Sequence, residues 1–258
     1  MTARVRAPYP IIVAILTYNH IGASPPGEEE RRGLWVDENA FARQMQSLRA
    51  WGCNCVTLRE VVASLSGRWR LPPRWVCITF DDGWRDAALR AMPALARNGL
   101  RATFFMVTSR IRSAAPTGAW DEAMSIDEMR ALLEAGMEIG SHSHTHPRLT
   151  RLDPAVLRTE VAGSRELLGD VLGRRPDWFC YPYGNFSRAV AAAVRDAGYA
   201  GAVCTIPDNR VRTGQRYWMP RVPVTADTTP LRLRFMLSPL YHLTSAFTSR
   251  ERWAGVRA

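Results

Sequence analysis

The stretch that decides the fold is Trp75-Val76-Cys77-Ile78-Thr79-Phe80-Asp81-Asp82-Gly83. Six apolar or β-branched residues read as a buried strand, and two carboxylates with a glycine stop it. Adjacent carboxylates are costly in a dry site if both stay ionised, so a compensating cation is expected. With a cation in place, one aspartate can ligate while its neighbour accepts a proton from water. An Asp-Gly turn leading into a helix from Arg85 is the plainer alternative, and this stretch alone does not separate the two.

Working outward, residues 11–16, 55–58, 103–107, 138–140, 178–181 and 202–205 read as further strands. Helical patterns cover 37–51, 85–98, 126–134, 154–171 and 188–197. Phe41, Met45 and Leu48 form an apolar stripe on the first of these. Ser125 with Glu128 is a capping box for the third, and Gly99, Gly136 and Gly198 stand where left-handed helix ends are expected. The strand–helix alternation predicts an α/β fold, a (β/α) barrel with about seven parallel strands in a single domain. The domain would run over 10–224, with an N-terminal extension at 1–9 and a tail at 225–258. The insertion at 21–34 reads as a surface loop, and the tail beyond Pro230 as a helix or a partner-binding segment.

Of 258 residues, 47% are hydrophobic and 22% charged, which is ample for a core. The net charge is +10 and there is no lysine, so all 34 basic residues are arginine. Schiff-base and phosphate-loop lysine chemistry are therefore excluded. The arginines are dispersed rather than blocked, so no nucleic-acid partner is expected. No run approaches the ~20 apolar residues of a membrane span. The five cysteines make no CxxC pair and read as reduced thiols, which favours the cytoplasm. A periplasmic or extracellular chain whose leader had been removed would read the same.

Three of the five histidines fall in Ser141-His142-Ser143-His144-Thr145-His146-Pro147, again after a strand. Such density points to metal ligation more than to a solvated loop. A continued strand would put all three histidines on one face, and a helical turn only His142 and His146. Tyr181-Pro182-Tyr183-Gly184 is a sharp turn whose free amides could hold an oxyanion, although such turns are usually only turns.

Thr79–Gly83, Ser141–His146 and Tyr181–Gly184, in that order and supported by Ala102-Thr103-Phe104-Phe105, resemble the polysaccharide deacetylase family, the NodB-homology or carbohydrate esterase family 4 domains. The resemblance implies a distorted barrel of fewer than eight strands. It further implies a divalent metal held by Asp82, His142 and His146, with Asp81 as general base and His144 not ligating. Zinc suits the ligand set best; cobalt, nickel or iron(II) would also be accepted. The implied reaction removes N-acetyl groups from an N-acetylglucosamine-containing polysaccharide or oligosaccharide, a metal-activated water attacking the acetamide. Tyr181, Pro182, Tyr183 and Gly184 would then line the substrate, the Tyr183 N–H steadying the oxyanion.

The chain departs from the commonest family pattern at Cys180, where that pattern has an arginine orienting the base, and it lacks the late motifs that supply the acid. It is similar instead to the subgroup of poly-N-acetylglucosamine deacetylases, in which an early Tyr-His element supplies it. Tyr18-Asn19-His20 stands in that place, so His20 is the expected general acid, with His242 in reserve. Arg221 is a candidate for the missing arginine. Other readings stay open: a non-catalytic carbohydrate-binding descendant, a hydrolase of a non-sugar amide or O-acyl ester, or a two-His-one-carboxylate iron oxygenase.

Overall fold

Trp75–Phe80 forms the expected strand and is buried from end to end. The computed structural model describes residues 14–27, 29–112 and 122–243. In it this strand belongs to a ring of seven: β1 (Ala14–Tyr18), β2 (Trp75–Phe80), β3 (Ala102–Met106), β4 (Glu138–Ser141), β5 (Trp178–Cys180), β6 (Gly201–Pro207) and β7 (Met219–Pro223). Each strand pairs in parallel with the next, and β7 pairs with β1, so the ring closes as one α/β barrel domain.

Period-two alternation sorts the strands' side chains into two layers. Ile15, Cys77, Phe105, Cys180 and Val203 fill the interior, while Leu16, Ile78 and Phe104 face the surrounding helices. The same alternation carries Thr79 and then Asp81 to the inner side of β2. Phe41, Met45 and Leu48 of the helix Glu38–Ala50 are completely buried against the outer layer. Each such side chain contributes about 1.5–3 kcal/mol.

The strand count agrees with the sequence reading, but one member differs. Residues 55–58 were expected as a strand; only Asn54–Cys55 pairs, alongside β2 and outside the ring. Thr57 and Glu60 then form a reciprocal capping box that opens the helix Leu58–Leu65. Its Leu58, Val61 and Val62 join the interior cluster with Trp75 and Met219, closing the end where strands begin. The seventh ring strand is instead β7, whose register shifts between Met219 and Arg221. Such an irregularity is where a strand tolerates a residue like Pro220.

Two expected helices contain a π turn, Ala87–Ala91 in one and Thr159–Gly163 in the other. The insertion at 21–34 is more ordered than a plain surface loop. His20–Ile21 pairs with Trp35–Val36, and Glu29–Leu34 is a 3-10 turn. Beyond Pro230 the chain forms the helix Pro230–Met236, which buries Leu233 and Met236. The expected extension at 1–9 and the end of the tail lie outside the described residues. Among those residues, no helix is long and apolar enough to cross a membrane.

Candidate active site

The distinctive side chains meet at the ends of β1, β2, β4 and β5. Asp81 is 4% exposed, and its charge is balanced at once by Arg221, which is completely buried. Arg221 donates from Nη1 to Asp81 Oδ1 at 2.7 Å and from Nη2 to Oδ2 at 2.6 Å. Its remaining donors reach Thr79 Oγ1, the Cys204 carbonyl and Cys180 Sγ. Burial pushes the Asp81 carboxyl up, but the charge and hydrogen bonds of Arg221 outweigh it and hold the carboxyl below the usual range. Burial also raises the Cys180 thiol well above its ordinary value, so it stays protonated. Arg221 therefore steadies Asp81 from β7, in the space beside Cys180.

Asp82 leaves the strand at φ 69°, a left-handed conformation that turns its carboxylate away from Asp81. Asp82 Oδ1 lies 3.3 Å from His146 Nε2 and 3.7 Å from His142 Nε2, and the two Nε2 atoms are 3.2 Å apart. His142 donates from Nδ1 to the Cys180 carbonyl at 2.8 Å. A carbonyl only accepts, so Nδ1 carries a proton, and Nε2 is the nitrogen turned to the cluster. Burial, with His142 and Arg110 beside it, pulls the His146 pKa down to about 4 despite Asp82, so this imidazole is neutral at neutral pH. Two imidazole nitrogens and a carboxylate oxygen converging on one point form a donor set that suits a divalent cation.

The histidine loop is neither a continued strand nor a helical turn. Ser143 and His146 take φ 66° and 64°, folding the segment so that the rings of His142 and His146 meet. Glu160, buried in the second π turn, holds that shape. It accepts from the His144 and Thr145 amides at 2.9 and 2.8 Å and from Thr145 Oγ1 at 2.6 Å. The His144 ring turns to Thr108 instead. Asn19 donates to Asp82 Oδ2 at 3.0 Å, orienting the carboxylate.

His20 follows Asn19, its ring stacked on Trp35 (centroids 3.7 Å apart) and on Trp84 (4.7 Å). His20 Nδ1 pairs with Asp86 Oδ2 at 2.8 Å. Asp86 is fully buried, just before the first π turn, and burial pushes its carboxyl up although His20 pulls partway back. The reserve candidate, His242, bonds the Pro239 carbonyl. Pro239 lines a cavity with Ala14 and Trp75, where strands begin, so His242 stands at the opposite end of the barrel.

In the turn 181–184, Tyr181 and Pro182 are buried, and the Tyr181 hydroxyl donates to the Tyr217 carbonyl at 2.7 Å. They shape the turn and do not offer side chains to a ligand. Gly184 has φ 65°, and a Cβ there would meet Thr205 Oγ1 at 1.8 Å, so no other residue fits. Tyr183 is 56% exposed, at φ 59°, with its ring edge-on to His146 at 4.6 Å. The turn is closed by Gly184 N–H to Tyr181 O and Asn185 N–H to Pro182 O, which leaves the Tyr183 N–H out of its bonding.

Sequence reasoning missed Asn19, Asp86 and Glu160 as parts of the site. Asn19 reads as an insertion between Tyr18 and His20, and single acids within helical windows carry no signal of their own.

A profile of the polysaccharide deacetylase family matches residues 70–202. The chain is 26% identical over 224 residues to YxkH of Bacillus subtilis, described as a putative polysaccharide deacetylase; the match covers 87% of this chain and 75% of that one. It is 28% identical over 113 residues to the peptidoglycan-N-acetylmuramic acid deacetylase PdaC of Bacillus subtilis, covering 43% of this chain but only 22% of that protein. Its fold is that of the Streptococcus pyogenes deacetylase PplD (TM-score 0.81, 23% identity, 90% of this chain and 100% of that one). IcaB from Ammonifex degensii shares it as well (TM-score 0.74, 22% identity, 87% and 96%). The chain belongs to the polysaccharide deacetylase family.

Proposed function

We propose that the protein is a metal-dependent hydrolase that removes N-acetyl groups from an N-acetylglucosamine-containing glycan. One observation carries this reading. A donor cluster of Asp82, His142 and His146 stands beside a carboxylate, Asp81, that Arg221 keeps ionised. Asp82, His142 and His146 would hold the cation, with zinc the best match. When bound, it supplies a Lewis acid that polarises the acetamide carbonyl and makes a nearby water more acidic.

The rest is done by the chain's own groups. Asp81 takes a proton from water as the water oxygen bonds to the acetamide carbon. The Tyr183 N–H donates to the carbonyl oxygen as negative charge builds there. His20, its tautomer fixed by Asp86, gives a proton to the sugar nitrogen as the carbon–nitrogen bond breaks. The products are acetate and a free amine. The exposed Tyr183 ring offers a face for a sugar, in keeping with the N-acetylated glycans named for the related deacetylases.

The test is acetate release from chitin-like, β-1,6-linked and peptidoglycan oligosaccharides. Release from at least one is expected, and none from any would overturn the glycan assignment.

A further inference from the structure

Two arginines reach the site across aromatic rings. The Arg110 guanidinium lies 5.1 Å from the Trp84 centroid, and Trp84 stacks on His20. The Arg148 guanidinium lies 4.8 Å from the Tyr183 centroid, and Tyr183 meets His146 edge-on. Among the described residues neither guanidinium has a carboxylate partner, whereas nearby Arg85 and Arg112 are paired with Glu128 and Glu122. A guanidinium held over a ring and free of a carboxylate keeps N–H donors for a planar or tetrahedral anion. Asp81 is paired with Arg221 and Asp86 with His20, and Glu160 is taken up by the amides of the histidine loop, so a cation held by Asp82, His142 and His146 would leave the positive charge of Arg110 and Arg148 in excess.

We propose that this site selects an anionic glycan, with Arg110 and Arg148 gripping a carboxylate or phosphate carried near the N-acetyl group that is removed. The proposal rests on the deacetylase reading and names its substrate class. A neutral N-acetylated chain would leave both forks unused.

The experiment compares matched N-acetylated oligosaccharides that are neutral, carboxylate-bearing (alternating with N-acetylmuramic acid) or phosphorylated. Acetate release is followed with the metal-loaded full chain, and binding with chelated wild-type protein, which needs no turnover. At low salt the anionic chains should be favoured by about tenfold or more, as expected for one charge-assisted contact. The ratio of anionic to neutral kcat/KM should fall in Arg110→Gln and Arg148→Gln, hold in Arg195→Gln on the far end of a helix, and shrink as salt rises. The carboxylate and phosphate arms identify which anion is read. Equal binding of neutral and anionic chains, or a ratio untouched by both substitutions, overturns the proposal. Anionic binding without acetate release from any chain would instead sink the deacetylase reading alone.

Discussion

Arg221 on β7 grips both carboxylate oxygens of Asp81, just past the end of β2, at 2.7 and 2.6 Å, across the strand β1 that separates the two strands. The pair is buried, so neither charge can fall back on water. Thr17 on the intervening strand adds a long contact to Asp81 at 3.4 Å. The arginine that holds Asp81 thus comes from the strand that closes the barrel, beside Cys180.

Removing one partner should be worse than removing both. Arg221→Met leaves Asp81 buried and unpaired and should cost about 3–5 kcal/mol. The double variant Arg221→Met/Asp81→Asn should recover much of that loss. Denaturant unfolding of both variants checks it; equal stabilities would mean the pair is not coupled.

The pH response should reverse when the arginine is lost. In the wild type the folded pKa of Asp81 is depressed, so its contribution to stability is present above the unfolded value of about 3.9 and disappears as pH falls through the folded one. In Arg221→Met burial loses its main opponent, with only His142 and the Cys180 hydrogen bond left against it, and the carboxyl pKa rises. The acid limb of kcat/KM should then move to higher pH, and stability should fall rather than rise as pH increases through that range. Arg221→Lys, with a single point charge, should restore the shift only in part.

Glu160 should set metal affinity without touching the metal. Its carboxylate fixes the loop that brings His142 and His146 together. Glu160→Ala should weaken zinc binding by about 10–100-fold, as loss of an outer contact does. Glu160→Gln, which keeps an acceptor, should lose less. Competition with a chelating dye measures both, and unchanged affinity in Glu160→Ala would remove Glu160 from the site.

His20 and Asp86 should act as a unit. His20→Ala should lower kcat by about 10²–10⁴-fold while metal affinity holds, the range for a general acid. Asp86→Asn should lower kcat in the same direction, and combining the two should add little. A His20→Ala enzyme of near wild-type rate would assign proton donation elsewhere.

Much of this was legible in the residues, for physical reasons that also explain what was not. β2 announces itself because a buried strand in a parallel ring is apolar throughout, and the chemistry follows because strand ends face the site. β7 does not, because Pro220 and Pro223 argue against a strand until a bulge is allowed. The helix Leu58–Leu65 had its signal in Thr57 and Glu60, overshadowed by the apolar run before it. Asp86 and Glu160 sit at π turns, which widen the helix locally but leave no periodic trace in the sequence. Asp81 and Asp82 are neighbours in sequence with different partners, since alternation sends one inward to Arg221 and a left-handed φ sends the other to the histidines.

The proposed reaction needs both a cation at Asp82, His142 and His146 and proton transfer at Asp81. Acetate release from N-acetylated oligosaccharides tests it most directly, measured for zinc-loaded, chelated and reloaded protein alongside zinc-loaded Asp81→Asn. Activity should vanish on chelation, return on reloading, and drop by about 10²–10⁴-fold in Asp81→Asn that still binds zinc. Release indifferent to chelation, or a zinc-loaded Asp81→Asn as active as the wild type, would contradict it.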